Sequence, residues 1–222
     1  MKIFSLNIWF SDYLKFERTT ILYNYLLEKD FDVILLQEVT LPVLSILYKK
    51  INEKYPHIHL DIEENFYGVC IISKFEILDR EILKFENTKM RRSIIYGKIN
   101  NIIFATTHLE SEFGKICDKK IDQFNNSIAL LSKFDKVCLI GDTNLTPKND
   151  KHLILNDFKD IYLEIDKTKE NKYTYDGVTN PLLSSKLRSR VDRAFVKDLE
   201  PKSFKIEKEF IMSDHFGLLI SL

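Results

Sequence analysis

Glycine and proline are scarce in this chain, six and five among 222 residues. No stretch therefore reads as a flexible linker, and one α/β domain with a substantial buried core is expected over residues 1–222. Cysteine is scarcer still. Cys70, Cys117 and Cys138 are odd in number and form no CxxC pair, which argues against a disulfide framework or a zinc site. Cys70 and Cys138 lie in apolar runs and read as core thiols, so a reducing, intracellular compartment is expected, nucleus or cytoplasm left open. No apolar run approaches membrane-spanning length, and the opening MKIFSLNIWF is strand-like, too short and too mixed for a signal peptide. No membrane partner is expected. Net charge is missing too. Thirty-three basic residues balance thirty-three acidic ones, so nucleic-acid contact would need a local basic face.

What is present is a recurring unit, an apolar strand ending in polar residues and followed by an amphipathic stretch. Lys2 to Ile8 is the first strand, and residues 15–29 then place Phe16, Thr20, Tyr23 and Leu27 along one predicted helical face. Asp32 to Leu36 reads as a strand covered on both sides. Thr40 fits an N-cap and Pro42 a first turn, so residues 41–53 should be helical. Val69 to Ser73, Ile94 to Ile99 and Ile102 to Thr107 read as strands, the last two forming a hairpin about Asn100-Asn101. A helix is predicted over 115–133, with Ile116, Ile121, Phe124, Ile128 and Leu131 near one face. Strands at Val137 to Ile140, Thr174 to Asp176, Arg190 to Val196 and Gly217 to Ser221 complete the reading. Tight turns between strands, interleaved with helices, argue for mixed sheets flanked by helices.

The polar residues at the strand ends carry the chemistry. Asn7 follows the first strand, Gln37-Glu38 the second, and His108 the hairpin strand. Gly141-Asp142-Thr143-Asn144 follows the next, Asp192 lies in a late strand, and Ser213-Asp214-His215 precedes the last. Each is unremarkable alone: a strand-end Glu is often a cap, and Asp-x-Asn is often a turn. Together, where strand ends converge in layered α/β proteins, they suit one hard cation and a phosphate.

In this order the motifs resemble the endonuclease/exonuclease/phosphatase superfamily from end to end. Within it, GDTNL at 141–145, HLES at 108–111 and SDHFGLL at 213–219 resemble the 5′-tyrosyl-DNA phosphodiesterase branch. The resemblance implies a four-layer α/β sandwich, two mixed β-sheets packed face to face with helices outside. It implies Mg²⁺-dependent hydrolysis, with Mn²⁺ as a substitute, of the bond joining tyrosine to a 5′-phosphate of DNA. The adduct is the one left by a trapped type II topoisomerase, and a tyrosine-linked protein on viral RNA is a related substrate. A monomer is expected. In this reading Glu38 holds the metal and Asn7 orients it or contacts the phosphate. Asp142 is the general base, held by Asn144, and His215 donates to the phosphate with Asp214 and Asp192 as its orienting carboxylates. His108 and Ser111 add phosphate contacts. Arg92 meets the DNA end, with Tyr67 and Tyr175 bordering the terminal nucleotide and Val191 at the substrate face.

This sequence departs from the branch at Tyr175, where an indole is usual, and at Thr146, Phe113 and Val191, all substrate-facing by analogy. Lys89 and Arg91, and the run Lys186, Arg188, Arg190 and Arg193, read either as a DNA grip or as a solvated charged face. An abasic-site endonuclease, a deadenylase, a phospholipid or inositol-phosphate hydrolase and a non-catalytic module on the same fold are the rival readings.

Overall fold

A computed structural model describes residues 1–111, 118–165 and 172–222. The first sheet collects β1 (Lys2–Asn7), β2 (Val33–Thr40), β3 (His57–Asp61) and β4 (Tyr67–Ser73). β5 (Leu78–Lys84), β6 (Ser93–Ile99), β7 (Ile102–His108), β8 (Val137–Asp142) and β9 (Lys159–Asp160) belong to the second. β10 (Tyr175–Asp176) and β11 (Arg188–Ser189) form a small ribbon, and β12 (Asp192–Lys197) joins the second sheet. β13 (Ser203–Glu207) and β14 (Gly217–Ser221) return to the first. Strand orders are β13-β14-β1-β2-β4-β3 and β5-β6-β7-β8-β12-β9. Each sheet contains one parallel pair, β1 with β2 and β7 with β8, in otherwise antiparallel surroundings.

Alternation along the strands builds the layers. Ile3, Val33, Leu35 and Ile71 from the first sheet meet Ile95, Phe104, Cys138 and Ile140 from the second in one inter-sheet core. The opposite face of the first sheet, through Phe4, Ile34, Leu36 and Cys70, packs on α1 (Lys15–Lys29) and α2 (Leu41–Ile51). The second sheet's outer face, through Tyr96, Leu139 and Phe195, packs on α3 (Asp118–Leu131). This is the four-layer α/β sandwich with two mixed sheets.

Several local expectations need correction. On α1 the buried row is Arg18, Thr19, Leu22, Tyr25 and Leu26, while Phe16 is 66% exposed. The helix is turned so that the row ending in Leu22, Tyr25 and Leu26 meets the sheet, where the Tyr25 ring packs tilted against Phe4 and Phe31. Thr40 precedes α2 with an extended backbone but makes no side-chain cap, so Pro42 in the first turn marks that start. The second strand runs past Leu36 through a bulge between Gln37 and Val39. Edge strands β3, β5 and β13 are too polar to have stood out, and β5 is exposed throughout. In α3, Ile121, Phe124, Ile128 and Leu131 are buried as predicted. Ile116, Cys117 and Phe113 lie outside the described residues.

Register decides where the polar strand ends meet. Asn7 pairs with Gln37 at the end of one parallel pair, and His108 with Asp142 at the end of the other. Antiparallel β12 brings Asp192 opposite the same Asp142. Gly141 admits this close pairing, because a Cβ there would meet the Thr107 carbonyl oxygen at 2.2 Å.

Candidate active site

Asp142 is the hub. It is buried at the end of β8, and its Oδ2 accepts the Asn7 amide at 2.9 Å, while Oδ1 accepts the Asn144 backbone N–H at 3.0 Å. His108 Nε2 lies 3.3 Å and His215 Nε2 3.8 Å from the same Oδ2. Burial alone would raise its pKa; the His108 and His215 rings, the Asn7 amide and the Asn144 N–H outweigh that and hold it below the ordinary value. Asn144 thus steadies Asp142 through its main chain, from a left-handed backbone (φ 51°). Its side-chain amide donates to the Leu109 carbonyl at 3.0 Å, and its own carbonyl accepts the buried Lys120 ammonium at 2.9 Å.

The Asn7 Nδ2 also donates to Glu38 Oε1 at 3.1 Å, so one amide spans two carboxylates. Glu38 sits in the β2 bulge at φ 58°, which aims it across the sheet end. Its Oε2 accepts the Phe10 N–H at 3.0 Å. Burial pushes its pKa up, against the Phe10 and Asn7 hydrogen bonds, and the neighbouring Asp214 adds to the rise.

The two histidines are set oppositely. Arg92 is buried, and its Nη1 lies 2.9 Å from His108 Nδ1. A guanidinium has no acceptor, so Nδ1 accepts and the ring proton sits on Nε2, towards Asp142. Burial, with Arg92 beside it, pushes the His108 pKa down to about 3, leaving a neutral donor. His215 bonds through Nδ1 to Asp192 Oδ2 at 2.8 Å. Despite burial, which acts the other way, Asp192 and then Asp142 hold its pKa well above the ordinary value, so it is an imidazolium at neutral pH.

The orienting carboxylate of His215 is Asp192. Asp214 Oδ1 lies 3.2 Å from the Ser213 hydroxyl oxygen and bonds no ring atom, a correction to the paired expectation. Ser213 itself ties the loop to β1 by donating to the Asn7 carbonyl at 2.5 Å. Tyr175 packs edge-on against His215 at 5.3 Å, and Tyr67 lies 6.1 Å from the His108 ring, so aromatic walls flank both histidines. Ser111 reaches the Met90 sulfur at 3.2 Å, and the Val191 carbonyl accepts Thr143 N–H and Oγ1 at 2.9 and 2.7 Å. Thr146 caps a short 3₁₀ turn with Asn149.

Most of the basic run is structural. Arg190 and Arg193 are buried against Asp160 at 2.8 and 2.5 Å, and Arg188 pairs with Asp176 at 2.8 Å. Arg91 pairs with Glu63 at 2.6 Å, leaving Arg92 as the arginine of that loop that enters the site. Asp142, Asp192 and His215 place potential ligand atoms within 4.8 Å of one another. The His215 ring nitrogen facing Asp192 is already committed, and the ring's positive charge opposes a second cation. Glu38 and Asp214 are carboxylates whose pKa burial raises, and a cation would relieve that burial of charge. That donor set fits a hard cation.

The match to the Endonuclease/Exonuclease/phosphatase family runs over residues 4–215. The chain belongs to that family. Among its curated members it is similar to Tyrosyl-DNA phosphodiesterase 2 of Homo sapiens, 29% identical over 99% of this chain and 68% of the relative. Among solved folds it is similar to D. rerio TDP2 complexed with single strand DNA product, with a TM-score of 0.87, 21% identity and coverage of 99% and 97%. The same family fold also serves a Bacteroides thetaiotaomicron mannosyl-6-phosphatase, with a TM-score of 0.78, 16% identity and coverage of 100% and 98%. Family membership therefore brings phosphoester chemistry, and the rim of the site must select the ester.

Four contributors to this family site escaped the sequence reading. Phe10 anchors Glu38, Lys120 anchors Asn144, and Thr174 Oγ1 receives the N–H groups of Val191 and Asp192 at 3.1 and 3.0 Å. Buried Glu110 accepts the Thr88 hydroxyl at 2.8 Å and the Lys89 N–H at 3.0 Å, shaping the loop that delivers Arg92. Glu110 had a sequence signal as the acid of HLES, and Thr174 as the first residue of the TYD strand.

Proposed function

We propose that the chain is a divalent-metal-dependent phosphodiesterase that frees 5′-phosphotyrosyl ends of DNA, leaving a 5′-phosphate. The observation that carries it is the opposed histidine pair around one carboxylate, Asp142. An anionic phosphodiester resists attack until its charge is met and water is placed in line. His215, cationic, donates to a phosphate oxygen as charge grows, and neutral His108 donates from Nε2 without repelling its neighbour. Asp142 takes a proton from the attacking water as its oxygen bonds to phosphorus. The bond to the tyrosyl oxygen breaks, and the phenolate leaves with the electron pair and is protonated from solvent. A phenolate, with a pKa of about 10, leaves without an acid at its side.

Glu38, with Asp214 beside it and Asn7 aligning it, would hold the cation, Mg²⁺ or Mn²⁺. When bound, that ion supplies charge neutralisation at the phosphate. Arg92, Tyr67 and Tyr175 border the DNA end. Similarity to the human phosphodiesterase supports the tyrosyl substrate.

The test offers four substrates, each with Mg²⁺, Mn²⁺ or EDTA: a 5′-phosphotyrosyl oligonucleotide, its RNA counterpart, an abasic duplex and mannose 6-phosphate. Release of tyrosine and a ligatable 5′-phosphate is expected from the first, preferentially on single-stranded or 5′-overhanging ends. Efficient incision of the abasic duplex without tyrosine release overturns the assignment.

A further inference from the structure

We propose that Phe10, lying on Tyr67, is a stacking ledge for the aromatic ring of the leaving group, and so selects tyrosyl esters. The proposal rests on the phosphodiesterase reading above. Phe10 is 48% exposed, yet its ring lies nearly parallel to Tyr67, at 17° and 4.5 Å between centroids. One face of the phenyl is covered and the other is open to a third ring.

The ledge is built. Phe10 donates its N–H to Glu38 Oε2 at 3.0 Å, so its ring is rooted beside that carboxylate. The preceding Trp9 adopts φ 59°, a left-handed conformation that a bulky side chain avoids. Arg18, buried, holds the loop there by donating to the carbonyls of Ile8, Trp9 and Ser11 at 3.4, 2.8 and 2.9 Å. Its guanidinium also lies 4.6 Å from the Trp9 ring centroid. A buried cation and a strained residue are thus spent on presenting one exposed phenyl.

The geometry of displacement names the occupant. The Asn7 amide lies between Asp142 and Glu38 and bonds both. Water oriented by Asp142 enters from one side of phosphorus, and in-line displacement sends the leaving oxygen to the other. On the proposal that side is the one of Glu38 and Phe10, since Phe10 is tied to Glu38 across the Asn7 amide from Asp142, whereas Tyr175 stands against His215. A ring with no polar edge suits a phenol whose oxygen is taken up in the ester.

Phe10→Ala and Phe10→Trp are compared with the unaltered protein, using KM for the 5′-phosphotyrosyl oligonucleotide and the inhibition constant of the same oligonucleotide bearing a bare 5′-phosphate. Phe10→Ala should raise KM about tenfold and leave the inhibition constant within about twofold, with Phe10→Trp near the unaltered protein. Equal weakening of both ligands would mean that Phe10 stacks on a base, and an unchanged KM that it stacks on nothing; either overturns the proposal. Absence of tyrosine release by the unaltered protein is a different result, and it overturns the parent reading.

Discussion

His108 and His215 face the same carboxylate oxygen, one held neutral by burial and by Arg92, the other held charged by Asp192. A group whose pKa is raised keeps its proton below that pKa and loses it above. Activity that needs the His215 imidazolium should therefore persist through neutral pH and decline on the alkaline side. Asp192→Asn removes the first of the influences that raise it. The alkaline limb of the kcat–pH profile should move to lower pH, with kcat at its optimum down about 10²-fold. An unmoved limb would transfer the titration to another group. At Glu38 the expected signature is metal dependence. Glu38→Gln should abolish most turnover and raise the Mg²⁺ concentration needed for the remainder by about tenfold or more. Mn²⁺ binding followed by electron paramagnetic resonance checks this without turnover, and unchanged affinity would reassign the ligand.

Among the elements, β9 has only two residues but closes the edge beyond β12 with Asp160, which receives both Arg190 and Arg193. Charges this deep are costly when unpaired. Asp160→Asn should destabilise the fold by about 3 kcal/mol, read as a lowered denaturant midpoint. Removing Glu63 from its exposed pairs with Lys84 and Arg91 should leave the midpoint nearly unmoved. Comparable losses at the two sites would deny the buried pair its structural role. The loop before β6 shows a different economy: Glu110 and Thr88 form its bends, and Arg92 is delivered ready-placed against His108.

For the whole molecule, balanced charge and the internal pairing of Arg188, Arg190 and Arg193 leave little to grip a long duplex. Affinity for plain duplex should be weak and fall with salt along a log–log slope no steeper than about −2, corresponding to about two phosphates. A slope near −6 or steeper, measured by fluorescence anisotropy, would reveal a basic face elsewhere. Helices cover the outer faces of both sheets, so a DNA end would have to approach Asp142 from the strand ends.

The amphipathic stretches, the buried strands and the strand-end Asn, Glu, His and Asp residues were legible in the chain because apolar periodicity is local and the motifs are contiguous. Tertiary structure decided what those residues do. Asp192 rather than Asp214 orients His215, because antiparallel β12 brings Asp192 opposite Asp142 across residues far apart in sequence. Arg92 enters the site while Arg190 and Arg193 turn to Asp160, although all are arginines in or beside strands. On α1 the apolar spacing pointed to the stripe of Phe16, Thr20, Tyr23 and Leu27, and contact with Phe4 and Phe31 chose the adjacent stripe of Leu22, Tyr25 and Leu26. Phe10 gave no signal at all, because its role depends on a bulge in the neighbouring strand that turns Glu38 towards its amide. Local composition specifies the elements; proton positions and carboxylate partners depend on distances between strands, which register and packing alone determine.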